Sequence, residues 1–356
     1  MGFLTQLLPQ AQQWISRFQR SLRLGLLAIL VSSLVIGCSL GSSNSGPEIT
    51  LVSFAVTRSA YNEIIPAFVK KWQQEHNQTI TISQSYGGSG AQARSVADGL
   101  EADVVHLALA LDINRIEQVG LIEPGWDNEF PNQSIVSKSV VALVTREGNP
   151  KGIQAWDDLG KEGLRLITAD PKTSGVARWN FLALWNAAMQ SSNDETKAQA
   201  FVTQVYRNAP ILSRDAREAT DAFYKQGQGD VLINYENEIL LAAQKGQTLP
   251  FFIPDINISI DNPIAIVDKN VARHKNREVA EAFVQYLFTP EAQAAFAKAG
   301  FRPIDPTIAQ SPDLKRQYPP IKRLSTVADY GGWKRVQKQF FADNALFDQI
   351  QAGTAK

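Results

Sequence analysis

An α/β chain folded into two lobes is what the sequence predicts, on three observations. Strand-like apolar runs alternate with stretches whose apolar residues recur at helical spacing. Removing an N-terminal leader of 37 residues from the 356 leaves 319, more than one hydrophobic core ordinarily supports, so two lobes with a cleft between them follow. A composition of 44% hydrophobic and 20% charged residues suits packed cores rather than a disordered polymer.

Residues 51–55 form an apolar extended run, after which Tyr61, Ile64, Ile65, Phe68, Val69 and Trp72 recur at helical spacing. Pro66 falls inside that helix, where it removes a hydrogen bond, so a kink or a later start is expected. Residues 79–83 alternate as a strand, and Ala93, Val96 and Ala97 carry a helical stripe on to residue 100. Residues 103–110, 139–145 and 164–168 read as buried strands. Phe181, Leu184, Trp185, Ala188 and Met189 mark a helix, as do Ala219, Ala222 and Phe223, before a strand at 231–235. Segments 245–254 and 262–268 return to strand character, and 278–288 and 290–299 are helical. The order suits two lobes whose chain crosses between them. The expected division is lobe I at 49–128 and 237–305, and lobe II at 129–236 and 306–356.

The leader occupies residues 1–37. Arg17, Arg20 and Arg23 precede a mainly apolar run from 24 to 36, too short to span a bilayer and ordered as a secretory signal. It ends in Val35-Ile36-Gly37-Cys38, which resembles the lipobox of bacterial lipoproteins, so export and acylation at Cys38 are expected. Serine and glycine then dominate a flexible tether over 38–48.

Thirty-five basic residues against 35 acidic ones leave no single-sign field to attract nucleic acid. One cysteine excludes a disulfide within the chain, and three scattered histidines leave little for a metal site. No cofactor is expected. His76, His106 and His274 show no pairing to a carboxylate or serine in the sequence pattern, which makes each a solvated or packed histidine. Glu236 and Glu238 read either as paired carboxylates or, by alternation on one face of an extended segment, as a solvated edge.

Three loops carry chemistry. Tyr86-Gly87-Gly88-Ser89-Gly90 joins a strand to a helix and so presents peptide N–H groups and a hydroxyl at a helix N-terminus, an anion site in the making. A second helix follows Pro171-Lys172-Thr173-Ser174-Gly175-Val176, and a third starts at Asp215 with Glu218 at capping-box spacing. Each is also an ordinary N-cap sequence, and spacing does not tell whether the loops converge. Two enzyme readings compete. Gly88-Ser89-Gly90-Ala91-Gln92-Ala93 fits a dinucleotide fingerprint with Asp112 about twenty residues on. A nucleophile elbow around Ser89 fails, because it needs glycine where Ala91 stands.

The run from Ser85 to Val105, with Arg146-Glu147-Gly148-Asn149-Pro150-Lys151, Asp170 through Asn180, Gly229 through Ile233 and Gly331-Gly332-Trp333, closely resembles the bacterial sulfate-binding proteins that feed ATP-binding-cassette importers. The similarity covers nearly everything after residue 48. It implies a two-lobed periplasmic binding protein fold of type II, with a ligand cleft between lobes joined by crossing hinge segments. It implies a non-enzymatic monomer that binds sulfate and delivers it to a membrane permease, from the periplasm or from a lipid anchor at Cys38. Carried over by position, the donors are the peptide N–H groups of Ala55, Ser89, Gly175, Val176 and Ala216, with the Ser174 hydroxyl. Tyr235 stands where the family has a tryptophan indole, Ala55 where aspartate is frequent and Val176 where a second glycine is common. Arg217 is expected to support its loop from behind, and Arg178 either to act as a support or to be a structural surface arginine. These departures leave thiosulfate or molybdate as alternative ligands.

Overall fold

The computed structural model describes residues 46–354. The expected leader, Cys38 and most of the tether lie outside the described residues. Among the described residues no helix is long and apolar enough to cross a membrane.

Two five-stranded mixed sheets form the frame. The first contains β1 (Glu48–Phe54), β2 (Thr81–Gly87), β3 (Val104–His106), β4 (Ile135–Ser139) and β11 (Ile260–Ile266), in the order β2-β1-β3-β11-β4. The second contains β5 (Val141–Thr145), β6 (Leu166–Ala169), β7 (Leu212–Ser213), β8 (Val231–Tyr235) and β9 (Phe251–Phe252), in the order β7-β6-β8-β5-β9. β10 (Ile256–Ile258) and β12 (Arg323–Ser325) make a separate parallel pair. β5, β6 and β8 are buried at every residue, as strands covered by helices on both faces must be.

The chain crosses between the sheets at Val140 and again over 253–259. Asn257 braces both crossings: its Oδ1 accepts Val141 N–H at 3.0 Å and its Nδ2 donates to the Val141 carbonyl at 2.8 Å. Residues 135–139 therefore belong to the first sheet and 251–252 to the second, whereas the expected lobe boundaries stood at 128/129 and 236/237.

Helices follow the strands: α1 (Arg58–His76), α2 (Ser89–Ala97), α3 (Ala110–Gln118), α4 (Gly175–Ser192), α5 (Glu195–Arg207), α6 (Ala216–Tyr224), α7 (Glu236–Gln244), α8 (Asp268–His274), α9 (Arg277–Tyr286) and α10 (Pro290–Lys298). α1 runs through Pro66 without a later start. Pro66 lies on its exposed face, so the carbonyl that loses its donor, on Asn62, is left to water. α4 is buried from Gly175 to Ala188, because it is packed on several sides rather than along one stripe.

Three expectations are corrected. Of 245–254, only Phe251–Phe252 is strand, and 236–244 is helix. Glu236 and Glu238 are buried rather than solvated: Arg302 clamps Glu236 at 2.6 and 2.9 Å, and Arg217 Nη2 reaches Glu238 at 2.7 Å. Burial pushes both carboxyls up from the ordinary range, against the pull of those guanidinium groups. His274 does meet carboxylates, with Nδ1 2.7 Å from Asp103 and Nε2 3.3 Å from Glu101.

The hydrogen bond to Asp103 raises the pKa of His274. A raised folded value means stability that is fully present below the ordinary value near 6.5 and lost as pH rises through the folded one. Thermal melts of His274→Gln are therefore expected to fall below wild type at about pH 6 and to converge with it as pH rises through the raised folded value. Parallel curves across that range would contradict the pairing. His106 behaves differently: fully buried, with Nδ1 2.7 Å from Tyr61 Oη, it is pushed down to about 3 by desolvation and stays neutral.

Candidate anion site between the lobes

Ligand sites of open α/β sheets lie beyond the carboxyl ends of strands, and here five such ends meet. β1 ends at Phe54 and turns into a short 3-10 segment at Ala55–Thr57. β2 ends at Gly87 and α2 starts at Ser89. β6 leads through 170–174 into α4, β7 leads into α6, and β8 ends at Tyr235. Ala55, Ser89, Ser174, Gly175, Val176, Ala216 and Tyr235 all line one cavity, with Phe54, Gly88, Ala108 and Asp215 among its other walls. All seven residues singled out from the sequence are thus brought together.

The cavity offers about 10 Å³ to the centre of a water-sized sphere. That is room for one small guest, far below the roughly 300–1,000 Å³ of pockets for larger organic ligands. A dinucleotide does not fit.

The walls present donors without cations. Ser89, Gly175 and Ala216 are the first residues of α2, α4 and α6, so their amides have no acceptor within their helices. Val176 comes next in α4, in helical conformation, so the positive φ that its side chain would resist is not required. Ser174 is the N-cap of α4, yet its hydroxyl makes no capping bond. The Tyr235 hydroxyl is buried with no hydrogen-bond partner, and burial holds its pKa well above the usual phenol value. An unpaired buried hydroxyl costs about 1–3 kcal/mol, so this donor is available to an acceptor at the cavity wall. Among the described residues no Lys or Arg lines the cavity. Its one carboxylate, Asp215, is drawn into the N-cap of α6, accepting Glu218 N–H at 2.9 Å.

Supports hold these loops in register. Asn234 Nδ2 donates to the Ala216 carbonyl at 2.8 Å while its Oδ1 accepts Tyr235 N–H at 2.9 Å. Ser89 Oγ donates to Asp112 Oδ2 at 2.6 Å and accepts Ala108 N–H at 2.9 Å, leaving the Ser89 amide as its group for the cavity. Arg178 Nη1 meets Asp112 Oδ1 at 2.9 Å, and Arg178 Nε donates to the Pro171 carbonyl at 2.9 Å. Arg178 is therefore a buried partner across the cleft and not a surface residue. Asp112 has no free oxygen edge for a ribose, which removes the dinucleotide role considered for it. Arg94 to the Lys172 carbonyl (2.8 Å) and Trp179 Nε1 to the Ala108 carbonyl (2.9 Å) also join the two lobes, so the cleft is closed. Sequence spacing carried no signal for Asp112–Arg178, because its partners stand 66 residues apart and come from different lobes.

Comparisons with known proteins show the family. Residues 49–302 match the family model described as bacterial extracellular solute-binding protein. The chain is 55% identical over 317 residues to the sulfate-binding protein of Synechococcus elongatus, covering 89% of this chain and 90% of that one. It is 36% identical over 331 residues to the thiosulfate-binding protein of Pseudomonas aeruginosa, covering 92% and 98%. The solved sulfate-binding protein of Mycobacterium tuberculosis superposes with a TM-score of 0.76 at 37% identity, covering 83% of this chain and all of that one. With two sheets facing one donor-lined cavity and a family match across most of its length, this chain belongs to the bacterial extracellular solute-binding proteins.

Proposed function

We propose that the protein binds sulfate between its lobes through uncharged donors and presents it to the membrane permease of an ATP-binding-cassette importer, catalysing nothing itself. The observation that carries the reading is the convergence of three helix N-termini and the unpaired Tyr235 hydroxyl on a cavity that, among the described residues, no cation lines. The donors are the amides of Ala55, Ser89, Gly175, Val176 and Ala216 with the hydroxyls of Ser174 and Tyr235. The lobes are divided by sheet membership, with hinges at Val140 and 253–259. The protein works as a monomer outside the cytoplasm, tethered through acylated Cys38.

Neutral donors suffice energetically. Hydrogen bonds to a charged group contribute about 1.5–3 kcal/mol each, so seven supply roughly 10–20 kcal/mol before desolvation and closure are subtracted. Micromolar affinity needs only about 8 kcal/mol. Sulfate carries no proton at neutral pH, whereas hydrogen phosphate does, and an all-donor cavity leaves that proton facing another donor.

Calorimetry against sulfate, thiosulfate, molybdate, phosphate and a nicotinamide dinucleotide tests the reading; dinucleotide binding with no oxyanion binding would overturn it, and thiosulfate bound in preference to sulfate would move the assignment to that ligand. Ser174→Ala and Tyr235→Phe are each expected to weaken sulfate binding about 10- to 100-fold. Tyr235→Phe should leave the ligand-free melting temperature equal or higher, since it deletes an unpaired buried group. An unchanged sulfate titration in either variant would remove that residue from the site.

A further inference from the structure

We propose that Arg58 steers the anion: its guanidinium captures the incoming dianion at the mouth of the cleft and passes it to a cavity that itself holds no cation. The inference rests on the sulfate reading above and concerns how the ligand arrives rather than how it is held.

The donor-lined cavity opens beside a larger polar vestibule of about 530 Å³, and Ala55, Gly87 and Asp215 line both. Four cations line the vestibule: Arg58, Arg214, Arg217 and Lys245. Two of them are paired with carboxylates, and a third, Lys245, stands near one without an ion pair. Arg214 lies 3.9 Å from Asp215 and 3.5 Å from Glu218. Arg217 meets the buried Glu238 at 2.7 Å, and Lys245 helps stabilise the charge of that same carboxylate. Asp221, the remaining vestibule acid, is held by Lys225 at 2.8 Å. Arg58 differs. Exposed in the first turn of α1, it has no carboxylate partner among the described residues and stands 4.4 Å from the centre of the Tyr86 ring. The aromatic face holds the guanidinium in place without cancelling its charge, as a carboxylate would.

Position explains why the charge is free. Arg58 lies three residues after Ala55, and the alanine side chain brings no carboxylate to the shared wall. A guanidinium inside the cavity would bind phosphate and sulfate alike, but one held outside accelerates encounter and leaves discrimination to the neutral donors. Rim charges of this kind change association rate and salt dependence rather than dissociation.

The test is sulfate association and dissociation measured by rapid mixing on wild-type, Arg58→Gln, Arg58→Lys and Ala55→Asp proteins across ionic strength. Arg58→Gln is expected to slow association about three- to fivefold at roughly 10 mM ionic strength, with the difference vanishing near 0.5 M, where screening is nearly complete over the vestibule. Dissociation should be unchanged, and Arg58→Lys should retain most of the wild-type rate. Ala55→Asp, which places a carboxylate beside the guanidinium, should lower the association rate with the same salt signature. Unchanged association at low salt, faster dissociation in Arg58→Gln, or a lysine variant as slow as the glutamine one would overturn the steering role while the sulfate reading stands. Failure of wild-type protein to bind any tetrahedral oxyanion would overturn both.

Discussion

Gly175→Ala is expected to lower sulfate affinity at least about a thousandfold, equivalent to roughly 4 kcal/mol. A Cβ on Gly175 would stand 2.3 Å from the Ala108 Cβ, with Leu109 and Ser89 side-chain atoms at 3.2 Å. Those neighbours belong to the opposite lobe, so the methyl group props the cleft apart at the point where closure brings α4 against the loop after β3. The open form has no such contact, and alanine is an acceptable first residue of a helix. The ligand-free melting temperature should therefore stay within a few degrees of wild type while calorimetry loses the sulfate signal. An unaltered titration would mean that the lobes do not close along this line.

The second large effect is expected from Arg178→Met. Removing one partner of a buried ion pair leaves the other charge uncompensated, at a cost of about 3–5 kcal/mol. Asp112 and Arg178 come from helices that follow strands of different sheets, and the side chains are only 2% and 7% exposed in the closed cleft. Opening returns Asp112 to water and relieves the cost. The penalty therefore falls on the closed state, and sulfate affinity should drop about 10²- to 10³-fold with little change in the ligand-free melting temperature. A large loss of thermal stability with intact affinity would instead make the pair a support of the folded lobes.

Both effects illustrate what ligand binding must do in such a protein. A guest can shift the open–closed equilibrium only by the free energy with which it prefers the closed form. The cross-cleft bonds of Arg94, Trp179 and Arg178 supply part of the closed state without ligand. The unpaired Tyr235 hydroxyl and the helix-terminal amides work against it until an anion arrives.

Local sequence pattern determined much of this protein. The strand at 231–235 coincides with its apolar run, α6 starts behind Asp215 as its cap spacing implied, and the glycine- and serine-rich turns before α2 and α4 were legible as helix starts with free amides. The resemblance to sulfate-binding proteins supplied the grouping of the seven cavity residues, which spacing alone did not. Tertiary structure alone decided the rest: Asp112 against Arg178, Glu236 under Arg302, and His274 on Asp103 at a separation of 171 residues. Helix caps and strand alternation act over a few residues and leave a mark in the chain. Pairing between distant charged side chains is set by how the sheets and lobes pack, and an isolated carboxylate or guanidinium reads the same in sequence whether it ends in water or in a core.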